Sequence, residues 1–219
     1  MIKSAIFDVD GTLLDSMFIW DTLGETYLRS IGYTPKENLN ETFKNMSLYQ
    51  AACYYISEYG VTLSVEEIMD GVNLMIRDFY LNDVKLKPYA ADFLQRLNSK
   101  GIRMCIATAT NKIIVEAVLE KYDIRKYFSE VYTCSSVGYG KDKPIIYRIA
   151  AEHLKTDKFE TLVFEDALYA LKTAKYDGFN TVAVFDEFEK QQDKVKNFSD
   201  YFLKDYSNFE TFWNFVLNI

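Results

Sequence analysis

Two carboxylates, Asp8 and Asp10, stand two residues apart directly after the apolar run from Ile2 to Phe7, and Gly11 and Thr12 follow them. Residues i and i+2 of an extended segment project to the same side, so both side chains converge on one point just past a strand. Like charges held at short range oppose each other's ionisation, and such a pair is costly without a cation. Three arrangements share the pattern. An acidic turn uses Asp and Gly only for their backbone preferences. A calcium loop needs Gly at its sixth position and alternating acids leading to a distal Glu; Gly11 comes fourth from Asp8, so that loop fails. The third is a magnesium-assisted phosphoryl-transfer site, and it requires partners further along the chain.

Those partners must be delivered by a fold. Residues 16 to 84 read as four helical segments with no convincing strand. The first runs from Met17 to Ile31 with Ser16 as N-cap and Gly32 just past its end. Thr34-Pro35-Lys36-Glu37 carries the elements of a capping box and predicts a helix start. Ser47 precedes a helix over 48–59 closed by Gly60, and Ser64-Val65-Glu66-Glu67 announces another that reaches about Leu81. From Pro88 onward the grammar changes to alternation. Helices over 90–97, 112–122, 144–154 and 167–177 separate apolar runs over 102–107, 130–134, 161–164 and 181–185. Strands joined through helices imply right-handed crossovers and a mainly parallel sheet covered on both faces. The predicted fold is therefore α/β, a doubly wound, Rossmann-like core formed by 1–15 and 86–219 with a helical cap inserted at 16–85. Residues 186–198 are expected to be a loop or short helix, 201–203 a last strand, and the chain to end in a helix near Ile219.

An open parallel sheet binds its ligands beyond the C-terminal ends of its strands. The places to search are then Asp8, Thr108, the segment from Cys134 to Lys143, and Glu165-Asp166. A turn from a strand into a helix N-terminus, as at Thr108, suits an anion because free N–H groups and the helix dipole point at it. Both Lys141 and Lys143 are available to neutralise such an anion.

The bulk properties set limits. A chain of 219 residues with 49% hydrophobic content can fill one domain's core and carry an insertion. A net charge of -7 disfavours a general nucleic-acid-binding surface, since phosphate backbones are held by basic patches. No window reaches the roughly eighteen apolar residues of a membrane span, and no signal-peptide pattern opens the chain. A cytoplasmic protein with no membrane association is expected. Cys53, Cys105 and Cys134 are odd in number and widely spaced, which suits reduced core thiols. His153, the one histidine, falls near the end of an amphipathic helix and reads as structural.

Asp8-Val9-Asp10-Gly11-Thr12-Leu13-Leu14-Asp15-Ser16 resembles the opening motif of the haloacid dehalogenase-like (HAD) hydrolases. Ile106 to Lys112 is similar to that family's second motif, which implies phosphate binding by Thr108, the Ala109 N–H and Asn111. The family's Gly-Lys-Pro-x-Pro-Asp-Ile-Phe pattern laid on Gly140 to Tyr147 selects Lys141 over Lys143, with Asp142 and Ile145 departing from it. Leu162-Val163-Phe164-Glu165-Asp166-Ala167 resembles the fourth motif, an acidic pair that helps hold magnesium, with Ala167 and Ala170 where Ser and Gly are frequent. The placement of the helical block resembles the C1-capped subgroup that contains phosphoglycolate phosphatase-like and β-phosphoglucomutase-like enzymes.

The resemblance implies a Mg²⁺-dependent phosphatase acting on a small phosphorylated metabolite. Asp8 would attack phosphorus to give an aspartyl-phosphate, and Asp10 would serve as general acid and then base. Asp8, the Asp10 carbonyl and Asp166 directly, and Glu165 through water, would hold the metal, with Thr108 and Lys141 stabilising the transferring group. Dehalogenation is disfavoured by Asp10, which the family's dehalogenases lack. A sugar-phosphate mutase is the nearer alternative. The cap histidine and arginine that the resemblance implies for mutases are not matched by Trp20 and by Lys44-Asn45-Met46-Ser47-Leu48, which favours the hydrolase. Trp20, Lys44, Asn45 and Arg77 are the candidate substrate contacts in the cap. The cap is expected to open and close about connections near Asp15 and Lys85 to Lys87. A catalytically weak regulator that binds a phospho-metabolite is a further alternative, against which both Asp8 and Asp10 stand.

Overall fold

The strands of the sheet are short apolar runs covered on both faces, which is why they read as continuous rather than alternating. β1 (Ser4–Phe7) is buried along its whole length. The chain then turns at Gly11, whose φ of 73° glycine adopts without a Cβ penalty, into a two-residue strand β2 (Leu14–Asp15). The computed structural model describes residues 1–43 and 46–219. They divide into two compact units, Met1–Asp15 with Lys85–Ile219, and Ser16–Val84.

The second unit contains α1 (Phe18–Ser30), α2 (Leu39–Phe43), α3 (Leu48–Tyr59) and α4 (Val65–Asn82). Ser47 with Gln50 and Ser64 with Glu67 form reciprocal capping boxes, so two backbone N–H groups are satisfied at each helix start. The predicted helix start at Thr34 to Glu37 does not form; Asn38 has a φ of 60° and α2 begins only at Leu39. A long-range contact competes there, because the Lys36 N–H donates to the Tyr59 hydroxyl at 2.9 Å and its ammonium pairs with Glu58 at 3.0 Å. Met17 rather than Ser16 is the N-cap of α1, with no side-chain hydrogen bond. Tyr27, Leu28, Leu39, Ala52, Tyr55, Ile68 and Val72 form this unit's core. A Cβ at Gly24 would lie 2.6 Å from the Phe43 ring, and the Tyr55 hydroxyl donates to the Gly24 carbonyl at 2.7 Å. Glycine is what lets these side chains come so near to α1.

Lys85, expected at the end of the helical block, instead pairs with Asp15: β3 (Lys85–Leu86) runs antiparallel to β2 and belongs to the first unit. There follow α5 (Ala90–Ser99), β4 (Arg103–Thr108), α6 (Lys112–Lys121), β5 (Phe128–Thr133), α7 (Cys134–Val137) and α8 (Ile145–Leu154). Next come β6 (Thr161–Glu165), α9 (Leu168–Tyr176), β7 (Asn180–Val184), α10 (Gln192–Phe198), β8 (Tyr201–Leu203) and α11 (Phe209–Leu217). The predicted strand over 130–134 begins at Phe128 and stops before Cys134, because Thr133 caps α7 in a capping box with Ser136.

Six strands form one sheet in the order β5-β4-β1-β6-β7-β8, and every pairing in it is parallel. β1 lies at the centre, with β4 on one side and β6 on the other. The connections therefore diverge at β1, the kind of switch point where open α/β sheets place their ligands. Phe7 and Phe164 stack with ring centroids 4.1 Å apart, and Phe93, Phe209 and Phe212 extend that aromatic core under α5 and α11. Cys53, Cys105 and Cys134 are free thiols. No helix of the described residues is long and apolar enough to cross a membrane.

Candidate active site

Two neighbouring strands, β1 and β6, end side by side and deliver the acidic groups. Asp8 follows β1, and its N–H donates to the Phe164 carbonyl at 3.0 Å, which prolongs the ladder to β6 by one residue. Glu165 is the last residue of β6 and Asp166 the next. Carboxylate oxygens of Asp8, Glu165 and Asp166 lie within 4.8 Å of one another, and all three side chains are buried. Lys141 comes from the loop before α8 and is only 4% exposed. Its ammonium donates to Asp8 Oδ1 and lies 2.7 Å from Glu165 Oε1. Lys143 is exposed and rests over the Tyr139 ring at 5.1 Å, so of the two lysines it is Lys141 that reaches the carboxylates.

Burial pushes the Asp8 carboxyl well above the usual carboxylate range; Lys141 opposes this, and Glu165 and Asp166 add to it. Asp166 is pushed up to about 7 by burial and then by Glu165, with Lys141 pulling the other way. For Lys141, burial favours the neutral amine, but the attraction of Asp8 and Glu165 outweighs it and keeps the ammonium charged. Ionised together, the three carboxylates against one ammonium leave two negative charges uncompensated. An all-oxygen, buried donor set with that excess fits a hard divalent cation.

Around this group stand hydroxyls. The Tyr147 phenol, fully buried on α8, donates to Glu165 Oε1 at 2.7 Å. Thr12 Oγ1 donates to Asp166 Oδ1 at 3.4 Å, and the buried Tyr206 hydroxyl holds the Thr12 carbonyl at 2.9 Å. On the other flank, Thr108 ends β4, and its Oγ1 accepts the Thr110 N–H at 3.1 Å. Thr110 Oγ1 in turn donates to Asp10 Oδ2 at 2.6 Å. The Asp10 side chain is thus engaged by the β4 loop and is not one of the three clustered carboxylates. Asn111 is the N-cap of α6, its Oδ1 accepting the Ile113 N–H at 2.9 Å, so its carboxamide oxygen is committed to the helix.

Tyr147, Tyr206 and Thr110 were not singled out from sequence. For Thr110 a signal existed, the same two-residue spacing after Thr108 that relates Asp10 to Asp8. Tyr147 occupies the aromatic position of the Lys141 motif, but nothing local announces its hydroxyl contact; Tyr206 lies far from any motif.

A model of the haloacid dehalogenase-like hydrolase family matches residues 2–176. The chain belongs to this family. Among relatives of the HAD hydrolases with named activities, (DL)-glycerol-3-phosphatase 2 of Arabidopsis thaliana is 29% identical over 195 residues, covering 84% of this chain and 80% of the relative. The mitochondrial (DL)-glycerol-3-phosphatase 1 of the same plant is also 29% identical and covers 84% of this chain, which spans 64% of that relative's length. A phosphorylated carbohydrates phosphatase of Thermotoga maritima is 24% identical, covering 83% of this chain and 84% of its own. Among solved structures, a provisionally assigned β-phosphoglucomutase of Thermotoga maritima superposes with a TM-score of 0.84 at 21% identity, covering 97% of this chain and 99% of the other. At that identity the likeness speaks for the fold.

The remaining candidates lie elsewhere. Trp20 is 44% exposed on α1, and Arg77 is exposed on α4. Lys44 and Asn45 fall outside the described residues. His153 Nε2 is 3.2 Å from Ser129 Oγ, and its ring meets Tyr132 edge-on at 5.8 Å, a surface packing role.

Proposed function

We propose that this HAD hydrolase is a phosphatase that hydrolyses a small phosphate monoester, with Asp8 as nucleophile and Asp10 as general acid and base. The observation that carries the reading is Asp8 at the sheet's switch point, bonded to Lys141 and clustered with Glu165 and Asp166. The relatives named as phosphatases agree with it.

Asp8 presents a carboxylate oxygen to phosphorus. The new bond forms in line with the departing P–O bond, whose electron pair goes to the leaving oxygen. Asp10 gives that oxygen a proton and becomes the base that takes one from the water that cleaves the aspartyl-phosphate. Lys141 and the Thr108 hydroxyl, with the Ala109 N–H, bind phosphoryl oxygens as their charge redistributes. Asp8, Asp166 and Glu165 with the Asp10 carbonyl would hold a divalent cation, which we take to be Mg²⁺. When bound, it neutralises phosphoryl charge and keeps Asp8 ionised. Tyr147 and Lys141 both act on Glu165 Oε1, so this carboxylate is oriented before any ligand arrives.

A sugar-phosphate mutase would use the same core residues and differ in the acceptor; the solved β-phosphoglucomutases share the fold. Phosphate release from a panel of sugar phosphates, phosphoglycolate, glycerol phosphate, nucleotides and an aryl phosphate, with and without Mg²⁺, tests the reading. Mg²⁺-dependent release that disappears in Asp8→Asn is expected. Absence of release from every ester, or equal release by Asp8→Asn, would overturn it.

A further inference from the structure

Asp10 and Thr110 lie on the loops that follow two adjacent parallel strands. β1 and β4 pair with Phe7 opposite Ile106, so both loops leave the sheet together and in the same direction. A chain of hydrogen bonds then crosses from one to the other. The Thr108 hydroxyl oxygen accepts the Thr110 N–H, and the Thr110 hydroxyl donates to Asp10 Oδ2 at 2.6 Å. Thr108, at 0% exposure, anchors the far end. A β-branched side chain has few accessible χ1 rotamers, so the place from which the Thr110 hydroxyl oxygen donates is narrowly set.

We propose that Thr110 is the positioning residue for the proton-transferring Asp10: it holds Oδ2 so that Oδ1 is the oxygen that gives and takes the proton. The inference rests on the phosphatase reading. A hydroxyl donor suits this task because a carboxyl group protonated on Oδ1 still accepts at Oδ2. Thr110 therefore stays bonded through both halves of the cycle. In the first half the Asp8–phosphorus bond forms, the bond to the leaving oxygen breaks with its electron pair, and that oxygen takes the Asp10 proton. In the second half a water oxygen bonds to phosphorus, the Asp8–phosphorus bond breaks with its pair returning to Asp8, and the water proton goes to Asp10. A misdirected Asp10 weakens both halves, but to an extent that depends on the ester. An alkoxide is strongly basic and needs the proton as it leaves, whereas a nitrophenolate leaves without one.

Thr110→Val keeps the shape and removes the donor; Thr110→Ser keeps the donor and removes the branch. Each variant is assayed with Mg²⁺ on p-nitrophenyl phosphate and on whichever alkyl phosphate the wild type turns over fastest. For Thr110→Val, kcat/KM on the alkyl ester is expected to fall by about 10- to 100-fold, within what a general acid contributes. On the aryl ester kcat/KM should stay within about twofold, while kcat falls, because water attack on the intermediate still needs the base. Thr110→Ser should restore most of both, and adding Thr110→Val to an Asp10→Asn background should change nothing further. Should the valine variant fail to fold, Thr110→Ala supplies the same comparison. An equal fall in kcat/KM on both esters, or no change on either, would overturn the positioning role while leaving the phosphatase intact. A wild type inactive on every ester would remove the phosphatase reading and this inference with it.

Discussion

The two units fill their interiors with different chemistry. Among the described residues every buried charged side chain, Asp8, Lys141, Glu165, Asp166 and Asp186, belongs to the α/β unit. The helical unit buries aliphatic and aromatic groups, and among its described residues the one other polar side chain that is buried is Ser16, where the unit begins. Tyr55 enters this core with its hydroxyl placed on the Gly24 carbonyl. Helices that each offer an apolar stripe close on one another without burying a charged side chain among the described residues. The sheet instead ends in carboxylates whose ionisation is opposed first by burial and then by one another, and which Lys141 relieves only in part. Among the described residues the crowded buried carboxylates Asp8, Glu165 and Asp166 stand at strand ends, where a ligand can relieve them.

The contrast is open to direct attack. The largest effect is expected from Lys141→Met, which removes the one cation from the buried cluster. Turnover should fall by about 10²- to 10³-fold. Near neutral pH without metal, unfolding in urea should show a loss of about 3–5 kcal/mol, the usual result of leaving buried charge unpaired. A variant as stable as the parent would mean that the carboxylates do not need their lysine.

Next in size is the pH dependence of the metal-free protein. Asp166 is raised from 3.8 to about 7 in the folded state, so between those values the folded protein holds a proton that the unfolded chain has released. This group's contribution to stability is complete below 3.8 and is lost as pH rises through about 7; the buried Asp8 acts in the same direction. In a chelating buffer the melting temperature should climb as pH is lowered from about 8 to about 5. Excess Mg²⁺ should flatten that trend, since a bound cation stabilises the ionised carboxylates. A melting temperature that falls over this range without metal would contradict the crowding.

Two smaller tests fall on the helical unit, where packing and capping should be the whole account. Gly24→Ala sets a Cβ 2.6 Å from the Phe43 ring and should cost about 1–3 kcal/mol by overpacking. Ser64→Ala removes one half of a capping box and should cost about 1 kcal/mol. Both losses should be the same with and without Mg²⁺. A metal-dependent loss in either would blur the division between the units.

Local physics made much of the chain legible. Apolar runs punctuated by glycine and by capping boxes place α3 and α4 nearly to the residue, because Ser47 and Ser64 meet partners three positions away on the same helix. The helical block's lack of strands and the later alternation were likewise visible, and the parallel sheet follows from them. The positions of Asp8, Thr108 and Glu165 at strand ends could be read for the same reason: each terminates an apolar run.

What depended on residues distant in the chain could not be read. Thr34 to Glu37 carries a sound capping signal, but Tyr59 and Glu58 hold Lys36 and the helix starts later. Lys141 and Lys143 differ little in local physics, and only the likeness to the family's motif selected Lys141; it is buried against Asp8 while Lys143 lies in solvent, because the loop before α8 turns only one of them inward. Tyr147 on Glu165, Tyr206 on the Thr12 carbonyl and Thr110 on Asp10 join residues between 18 and 194 positions apart. By itself the sequence determined the secondary-structure grammar and the strand ends at which chemistry was possible, since short-range capping and periodicity decide those. Only the tertiary structure decided which hydroxyl orients which carboxylate, because a hydrogen bond depends on distance in space and not on separation along the chain.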